Sequence, residues 1–116
     1  MYIFFVVISS IFASDMLIHD NTLLFCIDKN EPMLDLSKNQ LNRSENQIQL
    51  NNLFESVSTY SIKPWLNAAS DDDHSGDIYL NRIYKVVFNN IDRDMLSNIK
   101  DQLNDLSFIY HVEYDY

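Results

Sequence analysis

The clearest pattern in the chain is a strand–helix–strand order in its last third. Residues 82–88 and 109–114 alternate between apolar and polar side chains, the period typical of half-buried β-strands. Between them, Leu96, Ile99 and Leu103 recur at helical spacing after Asp92, a residue type that favours helix N-caps. This region therefore predicts a β-α-β unit that buries one face.

A weaker copy of the same pattern precedes it. The apolar run at residues 22–27 predicts a first strand, and residues 60–64 predict a second strand that Pro64 restricts to a sheet edge. Four apolar residues at i, i+3, i+4, i+7 spacing predict a helix between them: Leu50, Leu53, Phe54 and Val57. The order β-α-β-β-α-β predicts an α+β fold of the ferredoxin-like type, a four-stranded antiparallel sheet with two helices on one face.

Alternation along the strands assigns side chains to the two faces of that sheet. We expect one set to pack under the helices: Leu23, Phe25, Ile27, Tyr84, Val86, Phe88, Tyr110, Val112 and Tyr114. The opposite set would lie on a face that the helices leave uncovered: Leu24, Cys26, Lys85, Val87, Ile109, His111 and Glu113. This open face would carry more apolar surface than a solvated face normally does, so it predicts a docking patch for another protein.

Charge and composition narrow the class of partner. The formal net charge of -9 argues against nucleic acid and against anionic membrane surfaces, both of which select basic faces. The single glycine excludes phosphate-binding loops and dinucleotide fingerprints, which need several glycines close together. A protein partner, or no partner at all, is the expectation that remains.

The first 13 residues are almost wholly apolar. This stretch is too short for a membrane-spanning helix, which needs about 20 such residues. It has the length of the hydrophobic segment of a secretory signal, so we expect a signal peptide over residues 1–14 and a domain over residues 21–116. The protein would then be secreted or held in the cell envelope, without membrane association after signal removal. The alternative is a hydrophobic strand that belongs to the domain.

Reactive and metal-binding patterns are weak. Cys26 has no cysteine partner in the chain, and His19, His74 and His111 lack ligand spacing. Residues 71–76 match the first half of an EF-hand loop, but Arg82 occupies the position of the required glutamate, so we expect a solvated acidic loop. No pattern indicates an enzyme, a metal site or a cofactor. Trp65, after Pro64, is expected to plug the core at the strand end.

Four segments resemble the propeptides of subtilisin-like serine proteases. The opening strand at residues 23–27 is the first, and Ser-Ile-Lys-Pro-Trp-Leu at residues 61–66 is similar to the segment after the family's first helix. Ile-Tyr-Lys-Val-Val-Phe at residues 83–88 resembles its third strand. Residues 103–114, which end in Val-Glu-Tyr, resemble the helix end and closing strand. The similarity covers residues 21–114 and is closest to the fervidolysin-like N-terminal prodomain of bacterial secreted subtilases.

This resemblance implies a prodomain that assists the folding of a subtilisin-like protease and then inhibits it, in cis or in trans. The open sheet face would dock on two parallel helices of the enzyme, and Glu113 could cap one helix N-terminus. Carried over by position, the docking residues are Leu24, Cys26, Lys85, Val87, His111 and Glu113. Asp115 and Tyr116 would lead into the substrate cleft as a short tail.

Two departures from the family pattern keep an alternative open. Cys26 and Asp28 stand where the family often has lysines, and this sequence carries none of the protease's own Asp, His and Ser motifs. The alternative is a non-catalytic regulatory or small-ligand-binding domain of the same fold that self-associates through its sheet. A prodomain should be monomeric and slow a subtilisin-like enzyme, whereas a regulatory domain should dimerise and leave proteases unaffected.

Overall fold

The computed structural model describes residues 21–66, 69, 72–76 and 78–115. In chain order the elements are β1 (Thr22–Ile27), α1 (Glu45–Glu55), β2 (Tyr60–Pro64), β3 (His74–Ser75), β4 (Ile78–Tyr79), a 3₁₀ turn (Leu80–Arg82), β5 (Ile83–Phe88), α2 (Arg93–Asn104) and β6 (Ile109–Tyr114).

Four strands form one antiparallel sheet in the order β2-β5-β1-β6. The short strands β3 and β4 pair with each other as a separate hairpin between β2 and β5. Apolar residues of both helices join a single core cluster with one face of the sheet. The described part of the chain is therefore an α+β arrangement of two helices and a four-stranded antiparallel sheet, which is compatible with a ferredoxin-like fold.

The helix-covered face of the sheet is closed and apolar. Leu23, Phe25 and Val86 are at most 1% exposed, and Tyr84 and Phe88 are similarly buried. The ring of Phe54 from α1 meets Phe88 edge-on at 5.5 Å between centroids, and Phe25 stacks on Tyr84 at 5.7 Å. Burying one such aromatic side chain contributes roughly 1.5–3 kcal/mol, so these rings dominate the core. The predicted alternation of β1 and β5 is confirmed.

Helix α2 follows its sequence pattern closely. The side chain of Asp92 accepts a hydrogen bond from the backbone N–H of Met95 at 2.8 Å, which satisfies one of the unpaired amides of the first turn. Leu96, Ile99 and Leu103 are at most 1% exposed and form the stripe that packs on the sheet. The predicted cap and the predicted buried stripe are both confirmed.

Helix α1 begins within residues 35–47, a polar segment whose composition predicts either a solvated loop or a ragged entry into a helix. Ser44 caps it by accepting from the backbone N–H of Gln47 at 3.1 Å. The buried amide of Gln47 then accepts from the Asp35 N–H and donates to the Asp35 carbonyl, both at 2.8 Å. These two bonds fasten the preceding loop to the helix. Leu50 and Phe54 are fully buried, whereas Val57 lies beyond the helix end at the core margin.

The acidic segment contains more order than the sequence indicates. Its described part includes the β3–β4 hairpin, with Gly76 in the turn at a φ of 62°, a value that glycine adopts without steric penalty. The prediction of a loop is therefore wrong for His74 and Ser75, which form β3. Asp71, the first residue of the partial EF-hand match, lies outside the described residues.

Among the residues that the structure describes, no helix is both long and apolar enough to cross a bilayer. The predicted signal peptide, residues 1–14, lies outside the described residues.

Candidate docking face

The six predicted docking residues lie on the sheet face opposite the helices. Leu24 on the inner strand β1 pairs with Lys85 on one side and Glu113 on the other. Cys26 on β1 pairs with His111 on β6, and Val87 on β5 pairs with Thr22 on β1. Directly paired residues project on the same side of an antiparallel sheet, so these side chains share one surface. We call this surface the open face.

Burial varies strongly across the open face. Leu24, Lys85, Val87 and Glu113 are partly exposed, and the side chain of His111 is 54% exposed. Cys26, in contrast, is only 4% exposed. Neither α1 nor α2 covers this face, so another part of the chain shields the thiol.

That cover comes from the segment between β2 and β5. Trp65 and Ile78, from the end of β2 and from the hairpin, join Leu24, Ile83 and Cys26 around a small apolar pocket of about 190 Å³. The backbone N–H of Trp65 is fixed by a 2.9 Å hydrogen bond to the Ile83 carbonyl, while its side chain stays exposed. One end of the open face is therefore partly roofed by the chain itself, and the other end is not.

The chemistry of Cys26 follows from this cover. Burial raises the pKa of the thiol, and a hydrogen bond with the Tyr79 backbone together with the nearby Arg82 charge offsets only part of that rise. Because the thiolate is the nucleophile, a raised pKa makes Cys26 a poor one.

Two charged pairs also lie on the open face. Lys85 reaches across β1 to the carboxylate of Asp115, with 3.3 Å between nitrogen and oxygen. His111 Nε2 lies 3.1 Å from the carboxylate of Glu113 on the same strand. Asp115 was predicted to lead into a substrate cleft, but its side chain lies back against the sheet. Tyr116, the other predicted tail residue, lies outside the described residues.

Charges on the open face are sorted by sign. Lys63 on the edge strand β2 pairs directly with Lys85 on β5, which places two ammonium groups on neighbouring strands. Carboxylates occupy the opposite edge, from Glu113 on β6 and Asp115 just after it. Like charges directly opposite each other in a sheet are destabilising, so folding alone does not favour the lysine pair.

The expected position of Ile109 is wrong. The β1–β6 register shifts between Cys26 and Ile27, so that Cys26 pairs with His111 whereas Ile27 pairs with Ile109. The extra residue, Tyr110, is thereby displaced and is 46% exposed. Such a bulge reverses the facing of the residues on one side of it, and Ile109 packs in the core.

The prediction of the docking face missed Trp65 and Ile78. Trp65 was expected in the core but is 42% exposed at the pocket rim. The sequence indicates the face on which Trp65 lies, because side chains alternate along a strand. Trp65 follows Ser61 and Lys63 at every second position, whereas Ile62 lies on the opposite, buried side. No comparable signal existed for Ile78, which reaches the face only through the hairpin.

Among the described residues, few side chains are suited to bind a metal ion or to act as a nucleophile. No group of three or more His, Cys, Asp or Glu side chains within them is arranged to hold a metal. His74 stacks on Tyr79 across the hairpin with 4.6 Å between ring centroids, which gives it a structural contact.

Comparisons with known proteins identify no relative. The sequence matches no protein-family model and no curated protein, and the fold matches no solved structure.

Proposed function

We propose that the chain adopts a ferredoxin-like βαββαβ sandwich. If the small hairpin is treated as an insertion, the four main strands occur in the sheet in the order second, third, first, fourth. The two helices connect the first strand to the second and the third to the fourth. This connectivity supports two interleaved split β-α-β units, the arrangement from which the docking function is argued.

We propose that the protein is a propeptide-like domain that docks on a subtilisin-like serine protease and acts as its folding chaperone, its inhibitor or both. One observation carries the proposal. The sheet presents a face that neither α1 nor α2 covers, on which half-buried Leu24 lies between Lys85 and Glu113, and half-buried Val87 lies two residues from Lys85 on β5. Apolar residues framed by sorted charges suit a protein partner of complementary charge.

The proposed footprint is smaller than the full open face. It is centred on Val87, Leu24 and Lys85, with Glu113 at its margin. At the end that contains Cys26 it is limited to the opening of the small pocket, because the hairpin and Trp65 partly roof that end. Glu113 retains a 33% exposed side chain, which leaves its carboxylate accessible to the N-terminus of a partner helix. Asp115 is paired with Lys85, so the proposal depends on sheet docking rather than on a cleft-directed tail.

The test is inhibition of purified secreted subtilases by the purified chain. We expect slow, saturable loss of peptidase activity with at least one enzyme of a diverse panel. Val87→Glu, in the footprint, should weaken inhibition at least about tenfold, because it places a charge in a desolvated contact. Ser97→Glu, on the exposed side of α2, adds the same charge and should leave inhibition unchanged.

Loss of inhibition by both variants, or by neither, would contradict the proposed footprint. Absence of inhibition across the panel, with folded protein verified by circular dichroism, would contradict the protease-binding function.

The separation of lysines from carboxylates on the open face also favours a second candidate function. This candidate is a non-catalytic domain that self-associates through its sheets. Two copies stacked face to face and rotated by 180° would bring the lysines of one against the carboxylates of the other. Light scattering separates the candidates, since self-association predicts a dimer whose mass falls to that of a monomer in Val87→Glu. A wild-type monomer at high concentration would exclude it.

A further inference from the structure

The apolar pocket beside the hairpin has the dimensions of a receptor for one side chain. Its volume is about 190 Å³. For comparison, a cavity of about 150 Å³ lined by aliphatic side chains accepts a benzene ring. The pocket could therefore hold an aromatic ring or a branched aliphatic group, but not a peptide strand or a nucleotide.

The walls of the pocket are apolar on nearly every side. Leu24, Ile83 and the buried Cys26 form the floor on the sheet, and Ile78 and Trp65 form walls from the β2–β5 insertion. None of these side chains presents a charge, so a polar group at the bottom would lose its hydrogen bonds to water.

The pocket rim differs in character from its floor. His111 and Glu113 line one side, and the Glu113 side chain is 33% exposed to solvent. The side chain of Lys85 lies on the same face of the sheet, but it already forms an ion pair with Asp115, with 3.3 Å between nitrogen and oxygen. With a formal chain charge of -9, the rim favours a cationic neighbour for whatever enters the pocket.

We propose that this pocket receives an apolar anchor side chain of the docked partner, one ring in size and next to a positively charged group. This inference rests on the proposed docking function and adds the anchor's chemistry to it. Interfaces commonly concentrate affinity in one such buried anchor that fills a small pocket.

The experiment uses the full chain and intrinsic fluorescence, because Trp65 is the chain's single tryptophan and lines the pocket. The probes are 2-phenylethylamine, 2-phenylethanol, 3-phenylpropionate and butylamine, which separate the ring from the charge. We expect saturable fluorescence changes with half-saturation in the millimolar range for the first two. The amine should bind tightest and the carboxylate weakest, and butylamine should give no saturable change.

Variants test each part of the site. Glu113→Gln should weaken phenylethylamine binding by about twofold to fivefold, the scale of an exposed charge pair, and leave phenylethanol unchanged. Ile78→Phe adds volume at the pocket wall and should abolish binding of both ring probes. Ile48→Phe makes the same change on the exposed side of α1 and should bind as the wild type does.

The outcomes separate this inference from the docking function. Absence of any saturable response, or equal responses to butylamine and phenylethylamine, overturns the anchor pocket even if protease inhibition is found. Probe binding without inhibition of any protease would leave a ring-binding pocket and overturn the docking function. If both hold, phenylethylamine should relieve inhibition of the protease, and failure to do so would place the anchor elsewhere.

Discussion

The two faces of the sheet are built from alternate residues of the same strands, yet they have different compositions. Val86 is completely buried under the helices, whereas its neighbour Val87 lies partly exposed on the open face. The helix-covered face is a continuous apolar layer in which aromatic rings interlock. The open face combines apolar residues with a lysine pair, two charged contacts and a small pocket.

The difference between the two faces distinguishes residues that folding requires from residues that folding does not explain. Core packing accounts for the helix-covered face, since each side chain there removes apolar area from water. Nothing in the fold requires Lys63 opposite Lys85, or Leu24 and Val87 where solvent reaches them. We therefore interpret the open face as shaped by a partner, and the following predictions probe that contrast.

The largest contrast should come from aromatic truncation on each face. Phe54→Ala removes a fully buried ring and should lower the free energy of unfolding by about 3–5 kcal/mol. Trp65→Ala removes a side chain that is 42% exposed and should lower it by less than about 1.5 kcal/mol, since little desolvation is lost. Urea denaturation measures both values. Similar losses for the two variants would show that the open face contributes to the core.

A matched pair of valines sharpens the comparison. Val86→Ala should destabilise by roughly 1.5–3 kcal/mol because its site is sealed on both sides. Val87→Ala should destabilise by less than about 1 kcal/mol. Thermal unfolding followed by circular dichroism measures the difference. An equal or larger effect at Val87 would mean that the open face is packed against something in the free protein.

Alkaline pH should weaken the roofed end of the open face. The folded-state pKa of Cys26 is raised by burial, so its contribution to stability is complete below the ordinary thiol pKa of about 8.5 and is lost as pH rises through the raised value. Disulfide exchange with a small aromatic disulfide should be slow in the folded chain until that higher pH. Rapid labelling at neutral pH would show that the hairpin does not cover the thiol.

The smallest effect is expected at the ion pair on the open face. Lys85→Met should change the free energy of unfolding by about 0.2–1 kcal/mol, as partly exposed pairs usually do. The effect should shrink in 1 M salt, where the Debye length is about 3 Å. Lys38→Met, at an exposed loop position, is the matched control and should have no effect. A large, salt-independent loss at Lys85 would contradict a solvent-screened pair.

Local periodicity predicted most of the helix-covered face. The expectation for Tyr110 on that face is wrong, because the bulge in β6 displaces it. Leu96, Ile99 and Leu103 repeat at helical spacing, and Tyr84, Val86 and Phe88 alternate, so each pattern fixes its own buried side. These signals are local because each element buries its own stripe whatever its neighbours do.

The open face could be predicted only in part. Its membership follows from strand alternation, but the facing of Ile109 depends on the register against Ile27, which no single strand encodes. The burial of Cys26 depends on the β3–β4 hairpin, whose polar residues show no strand pattern. Trp65 was placed in the core as a plug at the strand end, although alternation from Ser61 and Lys63 places its side chain on the open face.

The most direct test of the account is methyl cross-saturation in a complex of the labelled chain with an inhibited subtilisin-like protease. We predict saturation transfer at the methyl groups of Leu24 and Val87. We predict none at Leu96 or Leu103, which lie on the buried side of α2. Transfer confined to residues on the outer surfaces of α1 and α2, with Leu24 and Val87 unaffected, would contradict the claim that the open face is the docking surface.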